Sequence, residues 1–359
     1  MRRPCNVLTV FAVSLFVACG STPKNPSGDS ANGPEDTADS LSPDDTGEQS
    51  PPTETVQLEF NVNPASDWRL GAFVAHVDEE EVQHTSHEIS YAIHGQQMEI
   101  GLWPPSTELL GNTWWSDQGV IFFLAAYPDR NGNEQKDPDE SILSLSTRML
   151  LFEINEENPK GEWLLAETDS STRSNEPTRL PLSEGISMVS LKPRTPVTIS
   201  GTVDLSNTGG ASVRVGAISY YEWLTEIPLP GRPLDEPVTD TFSFTLAQDL
   251  DAARLGEYPA WTSLRIGVEV PMPYQDADGT NDFSAGDVQL GWTCIGNLHT
   301  ALIYVPALTD VASAVEANSL NLAPGWNGIE VDSTALTWRL LTAAETTNLV
   351  MSDTLCGTP

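Results

Sequence analysis

Residues 264–274 read LRIGVEVPMPY, and residues 119–127 read GVIFFLAAY. Leu264, Ile266, Val268, Val270 and Met272 recur at every second position, so an extended strand places them on one face. Ile121, Phe123 and Ala125 are their counterparts when Tyr127 is laid on Tyr274, and a helix would not keep that period. Each strand runs into a Gly-centred stretch of acids and amides, YPDRNGNEQKDPDE at 127–140 and YQDADGTNDFSAGD at 274–287. Pro271 and Pro273 carry no N–H for a ladder, which predicts an edge strand or a bulge there.

Working outward, other segments match in the same order. VQLEFNV (56–62) and RLGAFVAHV (69–77) correspond to VTISGTV (197–203) and VRVGAISYY (213–221). MEIGLWPPSTELLG, with Gly111, corresponds to FSFTLA and DLDAARLG, with Gly256, and RLPLSEGISMVSL (179–191) resembles SLNLAPGWNGIEV (319–331). Generic strands can match by chance, but ordered matches are what one duplicated unit with loop insertions gives. Short helical turns are expected only near 107–110, 251–255 and 310–316. Many short strands punctuated by Gly and Pro predict an all-β chain of two tandem antiparallel β-sandwich domains. Residues 56–195 would form the first, and 196–359 the second with a C-terminal extension.

The chain begins MRRPCNVLTVFAVSLFVACG, with Arg2 and Arg3 ahead of an apolar run at 7–18. This is an export-signal pattern, too short for a span of about 20 apolar residues. FVAC at 16–19 resembles the lipobox of bacterial lipoproteins. That resemblance implies a signal at 1–19, a lipid on Cys19, and a membrane partner reached through the N-terminal lipid. Gly20, in place of the Asp that retains such proteins at the inner membrane, points to the outer membrane or cell surface of a bacterial envelope. A cleaved signal with a coincidental cysteine is the alternative. Residues 20–55 are rich in Ser, Thr, Pro, Gly and acids, which predicts a disordered acidic linker.

With 51 acidic against 17 basic residues the net charge is −34, which argues against nucleic-acid binding and favours cations. Cys5 would leave with the signal and Cys19 would carry lipid, so Cys294 and Cys356 are expected to form a disulfide worth roughly 4 kcal/mol. Two free thiols are the other reading.

Calcium takes six to eight oxygens, and a loop with oxygen-bearing residues at alternating positions can curl around one ion. On the EF-hand spacing, 127–140 offers Asp129, Asn131, Asn133, the Gln135 carbonyl, Asp137 and Glu140. The stretch 274–287 offers Asp276, Asp278, Thr280, Asp282, Ser284 and Asp287. Position 6 holds Glu134 and Asn281 where Gly is usual, position 8 of the first loop is Lys136, and the flanks read as strands. Only the ligand logic carries over, implying one or two structural Ca²⁺ ions. Asn-Gly and Asp-Gly are also plain hairpin turns, so both readings stand. The order of strand, aromatic residue and D-x-[DN]-G loop resembles the transthyretin-like and carboxypeptidase-regulatory-like sandwiches of secreted bacterial proteins.

His84 and His87 do not fit a zinc site, because a three-residue spacing on a strand sends the rings to opposite faces. No G-x-S-x-G, phosphate loop or C-x-x-C occurs. Trp114 and Trp115 are adjacent, so extended backbone would turn one outward for a glycan or protein partner, unless loops cover both. The reading is a non-enzymatic, calcium-stabilised envelope lipoprotein with a structural or surface-interaction role. The alternatives are a carbohydrate-binding surface lipoprotein or, further off, a hydrolase.

Overall fold

The computed structural model describes residues 51–77, 82–111, 113, 117–167, 178–191, 197–205, 213–219, 232–233, 238, 240–247, 249–258, 261–280, 283, 286–296, 298–332, 337–353 and 356. The signal, Cys19 and most of the linker expected at 20–55 lie outside them.

The fold is all-β and of sandwich type, with two large sheets drawn from successive parts of the chain. The first contains β1 (Glu54–Phe60), β2 (Trp68–Val77), β3 (Val82–Ala92), β4 (Gln97–Leu102), β5 (Gly119–Pro128), β6 (Ser144–Ser146), β7 (Met149–Glu153), β8 (Glu162–Glu167), β9 (Thr178–Leu180) and β10 (Ile186–Ser190). The second contains β11 (Val197–Asp204), β12 (Val213–Ser219), β13 (Arg232–Pro233), β14 (Thr241–Leu246), β15 (Gly256–Tyr258), β16 (Trp261–Gln275), β17 (Val288–Gln289), β18 (Trp292–Ile295) and β19 (Leu298–Val305), then β20 (Gly325–Asp332), β21 (Thr337–Leu340) and β22 (Leu349–Ser352). Helix α1 (Val311–Ser319) stands between β19 and β20, with Asp310 capping it by accepting the Ser313 N–H at 2.8 Å. β1 begins two residues inside the expected linker, tied to β4 by Glu54 and Thr55.

Most pairings recur in both sheets, the exception being that β6 pairs with β5 whereas β18 pairs with β19. β1 lies between β4 and β10, and β11 lies between β14 and β22. β5 pairs with β2 and β7, as β16 pairs with β12 and β19. The run β7-β8-β9 then repeats as β19-β20-β21. Two expectations need correction. Each sheet has one parallel pair, β1 with β10 and β11 with β22, so neither is wholly antiparallel. The match of 179–191 to 319–331 also fails, because the counterpart of β10 by pairing is β22, while 319–331 holds the end of α1 and most of β20.

The proline expectation holds only locally: no bulge interrupts the β12 ladder, but between Glu269 and Tyr274 the other side of β16 has no ladder partner among the described residues. β16 is flanked on both sides, and its ladder to β12 passes through Pro271↔Ala217 and Pro273↔Val215 without a register shift. The Pro271 carbonyl accepts from Thr293 Oγ1 at 2.9 Å and the Pro273 carbonyl from the Leu290 N–H at 2.9 Å. A strand residue turns its N and C=O to the same side. The missing donors therefore face the gap between β19 and β17, where only acceptors are needed.

Alternation explains the cores. β1 and β14 bury every second residue, whereas β5 is buried on both faces. Val56, Leu58, Phe122, Leu124 and Leu165 fill the first interior, and Ile199, Val215, Phe244 and Met351 the second. A third cluster joins the two sheets: Ala125, Tyr127 and Leu145 pack with Ile266, Val268, Val270 and Met272, beneath Ala314 and Ala317 of α1. There the Ile142 N–H donates to the Leu308 carbonyl at 2.6 Å. Cys294 and Cys356 form the expected disulfide, with Cα atoms 5.7 Å apart, fastening the C-terminal tail to β18.

Candidate metal centre

Each acidic stretch leaves its strand from a tyrosine sunk in the core, Tyr127 or Tyr274. Across the ladder from each stands an arginine, in the pairs Arg69↔Tyr127 and Arg214↔Tyr274. Burial pushes both hydroxyls above the usual tyrosine range, the loop acids reinforce it, and Arg69 and Arg214 oppose it.

The two loops share a skeleton. Gly132 and Gly279 both take the left-handed conformation, at φ 73° and 72°. The Arg130 N–H donates to Glu140 Oε1 at 2.8 Å, as the Ala277 N–H donates to Asp287 Oδ1 at 2.8 Å. The Asn133 N–H donates to Asn131 Oδ1 at 3.0 Å, as the Thr280 N–H donates to Asp278 Oδ1 at 3.0 Å. Asp129 accepts the N–H groups of Asn133 and Glu134, each at 3.1 Å, and Asp276 Oδ1 accepts that of Gly279 at 2.9 Å. These bonds turn the first, third and twelfth side chains of each loop inward.

Their chemistry then diverges. In the first loop Asp137 is engaged by amide groups, from Asn131 Nδ2 at 2.6 Å and from Asn133 Nδ2 at 3.2 and 3.3 Å. Buried Glu140 also accepts the Asp137 N–H at 3.1 Å. Arg69 adds ion pairs to Glu134 at 3.3 Å and to Asp129 at 4.0 Å. Lys136 points Nζ at the carbonyls of Asp137 and Thr309, so it fastens the loop to the residue before the α1 cap. Burial lowers its pKa, and Glu140, Asp310, Asp137 and Asp139 work against that shift. Glu134 occupies the position where EF-hand loops use Gly, and it too is left-handed, at φ 64°. The Gln135 N–H donates to Asn133 Oδ1 at 2.9 Å, and its side chain is exposed.

In the second loop, one oxygen from each of Asp276, Asp278 and Asp287 lies within 4.8 Å of the others. Among the described residues no other group of three acids, histidines or cysteines converges this way. Thr280 Oγ1 donates to Asp278 Oδ1 at 2.7 Å, so that hydroxyl orients a carboxylate. Phe283 takes the place of Lys136 and packs edge-on against Tyr274, with ring centroids 5.2 Å apart. Three carboxylates this close repel one another unless a cation balances them, and an all-oxygen donor set suits a hard divalent ion. The residues present therefore fit such an ion.

The sequence reading missed Arg69 and Arg214. Its signal was the Arg-x-Gly shared by Arg69–Gly71 and Arg214–Gly216, but only the cross-strand register sets them beside the tyrosines. Asp282, Ser284, Trp114 and Trp115 lie outside the described residues, as do the side chains of His84 and His87. No helix among the described residues is long and apolar enough to cross a membrane. Comparison with protein-family models, curated proteins and solved structures gave no match to this chain.

Proposed function

We propose that the chain is a calcium-stabilised envelope lipoprotein with a structural or surface-interaction role, and that Asp276, Asp278 and Asp287 hold its ion. The convergence of those three carboxylates carries the reading. The matching skeleton of the first loop supports the idea that both descend from one duplicated loop, as do the strand pairings that the two sheets share. Calcium modules outside the cell typically bind at about 10⁻⁴ to 10⁻³ M. At a hundredfold excess over its dissociation constant such an ion adds about 2.7 kcal/mol to stability, which suits a brace. Attachment to the envelope rests on FVAC at 16–19 and the acidic spacer after it.

Thermal melting in calcium and in chelator tests the metal, repeated on Asp278→Ala. The native protein is expected to melt higher in calcium, and the variant to melt alike in both. Identical melting of the native protein under both conditions would return the loop to an ordinary acidic turn. Fatty-acid labelling that disappears in Cys19→Ser is the matching test of the lipid.

A further inference from the structure

We propose that Asn131, in the first acidic loop, is a site of spontaneous deamidation in the folded protein, and that its conversion loosens that loop. Asparagine is among the thermolabile residues. Glycine follows it three times in the chain, at Asn32, Asn131 and Asn327. A glycine nitrogen reaches the preceding side chain most easily, because no Cβ stands in the way. The first pair lies outside the described residues, and the fold treats the other two in opposite ways.

Asn131 and Gly132 are both exposed. Apart from its chain neighbours, no atom lies within 4 Å of the place a Gly132 Cβ would take, so water and the reacting groups have room. Asn131 Oδ1 accepts the Asn133 N–H at 3.0 Å. The ring closed by that bond contains both the Asn131 amide carbon and the Gly132 nitrogen, and the bond draws electrons from the carbon under attack. Asn327, by contrast, is fully buried. Its Nδ2 donates to the Ala323 and Gly325 carbonyls at 2.9 and 3.0 Å, and the β19 ladder holds Gly328 opposite Leu302. Neither backbone rotation nor water is available there.

In the reaction the Gly132 nitrogen bonds to Asn131 Cγ and the bond from Cγ to Nδ2 breaks. The amine leaves as ammonia, carrying the proton that the Gly132 nitrogen gives up. Water then opens the cyclic imide on either side, leaving aspartate or its β-linked isomer. Nδ2 is the group that meets Asp137 at 2.6 Å, so its loss replaces a hydrogen bond with two facing carboxylates. The Asp137 carbonyl shares Lys136 Nζ with the Thr309 carbonyl, the tie between this loop and the second half of the molecule. The modified loop therefore holds that half less firmly.

Peptide mapping by mass spectrometry, after prolonged incubation of the full chain at mildly alkaline pH, tests the site, with a parallel sample kept in urea. In the folded chain the peptide holding Asn131 should gain the mass difference between an amide and an acid while the peptide holding Asn327 stays intact. In urea both should convert. Asn131→Gln should show no conversion at that position, and Asn131→Asp, which reproduces one product, should melt a few degrees below the native chain in chelator. Either of two results would overturn the proposal: folded protein in which Asn131 survives as long as Asn327, or an Asn131→Asp chain that melts like the native one.

Discussion

β5 pairs with β2 and β7 as β16 pairs with β12 and β19, and with Tyr127 laid on Tyr274 their outward faces correspond. Phe123 and Ala125 face the shared cluster as Val270 and Met272 do, while Ile121, the counterpart of Val268, sits in a small cluster beside it. The inward faces do not correspond. Val120, Phe122, Leu124 and Ala126 are replaced by Gly267, Glu269, Pro271 and Pro273. The outward face must fit the other half of the molecule, so it has one set of acceptable residues. Each interior meets only its own sheet, so it can change if its neighbours change with it. Arg254 answers Glu269 at 3.4 Å, and Gly267 leaves room for Leu250, whose Cδ2 would lie 2.0 Å from an added Cβ. The loops follow the same rule, with a common skeleton and different side-chain chemistry on it.

The largest effect should come from the buried charge that stands where the first half has Phe122. Glu269 is fully buried and Arg254 nearly so. Glu269→Ala leaves a guanidinium in the interior and should cost about 3–5 kcal/mol in urea unfolding, while Glu269→Leu combined with Arg254→Met should recover most of that. Phe122→Ala should cost a similar 3–5 kcal/mol, but through a cavity that no second substitution restores. A loss under about 1 kcal/mol for Glu269→Ala would mean that the charge has no structural part in the second interior.

Next come the loops. Asp278→Ala should abolish the calcium-dependent gain of about 2.7 kcal/mol. Asp137→Ala should leave that gain intact and lower stability equally in calcium and chelator, by about 0.5–1.5 kcal/mol, because the exposed amides of Asn131 and Asn133 exchange its carboxylate for water. Calcium dependence lost in Asp137→Ala but kept in Asp278→Ala would reverse the roles assigned to the two loops. A smaller change should follow Lys136→Met, which brings the first loop toward the apolar choice made at Phe283. The Asp137 and Thr309 carbonyls lose a donor, so a cost of about 1 kcal/mol is expected in the same unfolding measurement.

What could be read in advance was local. The period-two alternation of Leu264 to Met272 gave the strand and its face. The helical turns expected near 107–110, 251–255 and 310–316 correspond to Thr107–Leu109, Ala252–Arg254 and α1. One oxygen from each of Asp276, Asp278 and Asp287 lies within 4.8 Å of the others, while Asp282, expected beside them, lies outside the described residues. What could not be read depends on partners distant in the chain. Pro271 and Pro273 announce missing donors, but only the register tells which neighbour would have wanted them. Short strands that close each sheet in parallel, such as Leu349–Ser352, leave no periodic trace, and α1 separates β19 from β20 where the first half has a turn. The segment matching failed at that point for the same reason.

The smallest expected effect separates the halves by pH. His299 opens β19 opposite Cys294 and lies edge-on to Trp292, with ring centroids 5.6 Å apart, whereas the β6–β7 turn holds Thr147 and Arg148. Burial lowers the His299 pKa below the usual 6.5, so the folded chain keeps the ring neutral at a pH where the unfolded chain has already taken up a proton. Because the unfolded state binds more protons in that window, stability falls as the pH drops below about 6.5 and stops falling once the folded ring titrates. Between about pH 7.5 and 5.5 most carboxylates stay ionised in both states, and comparison with a His299 variant separates this ring from the other four histidines. The melting temperature should therefore decline across that interval in the native protein and stay flatter in His299→Gln. An equal decline in both would assign the slope to other groups and remove this difference between the two sheets.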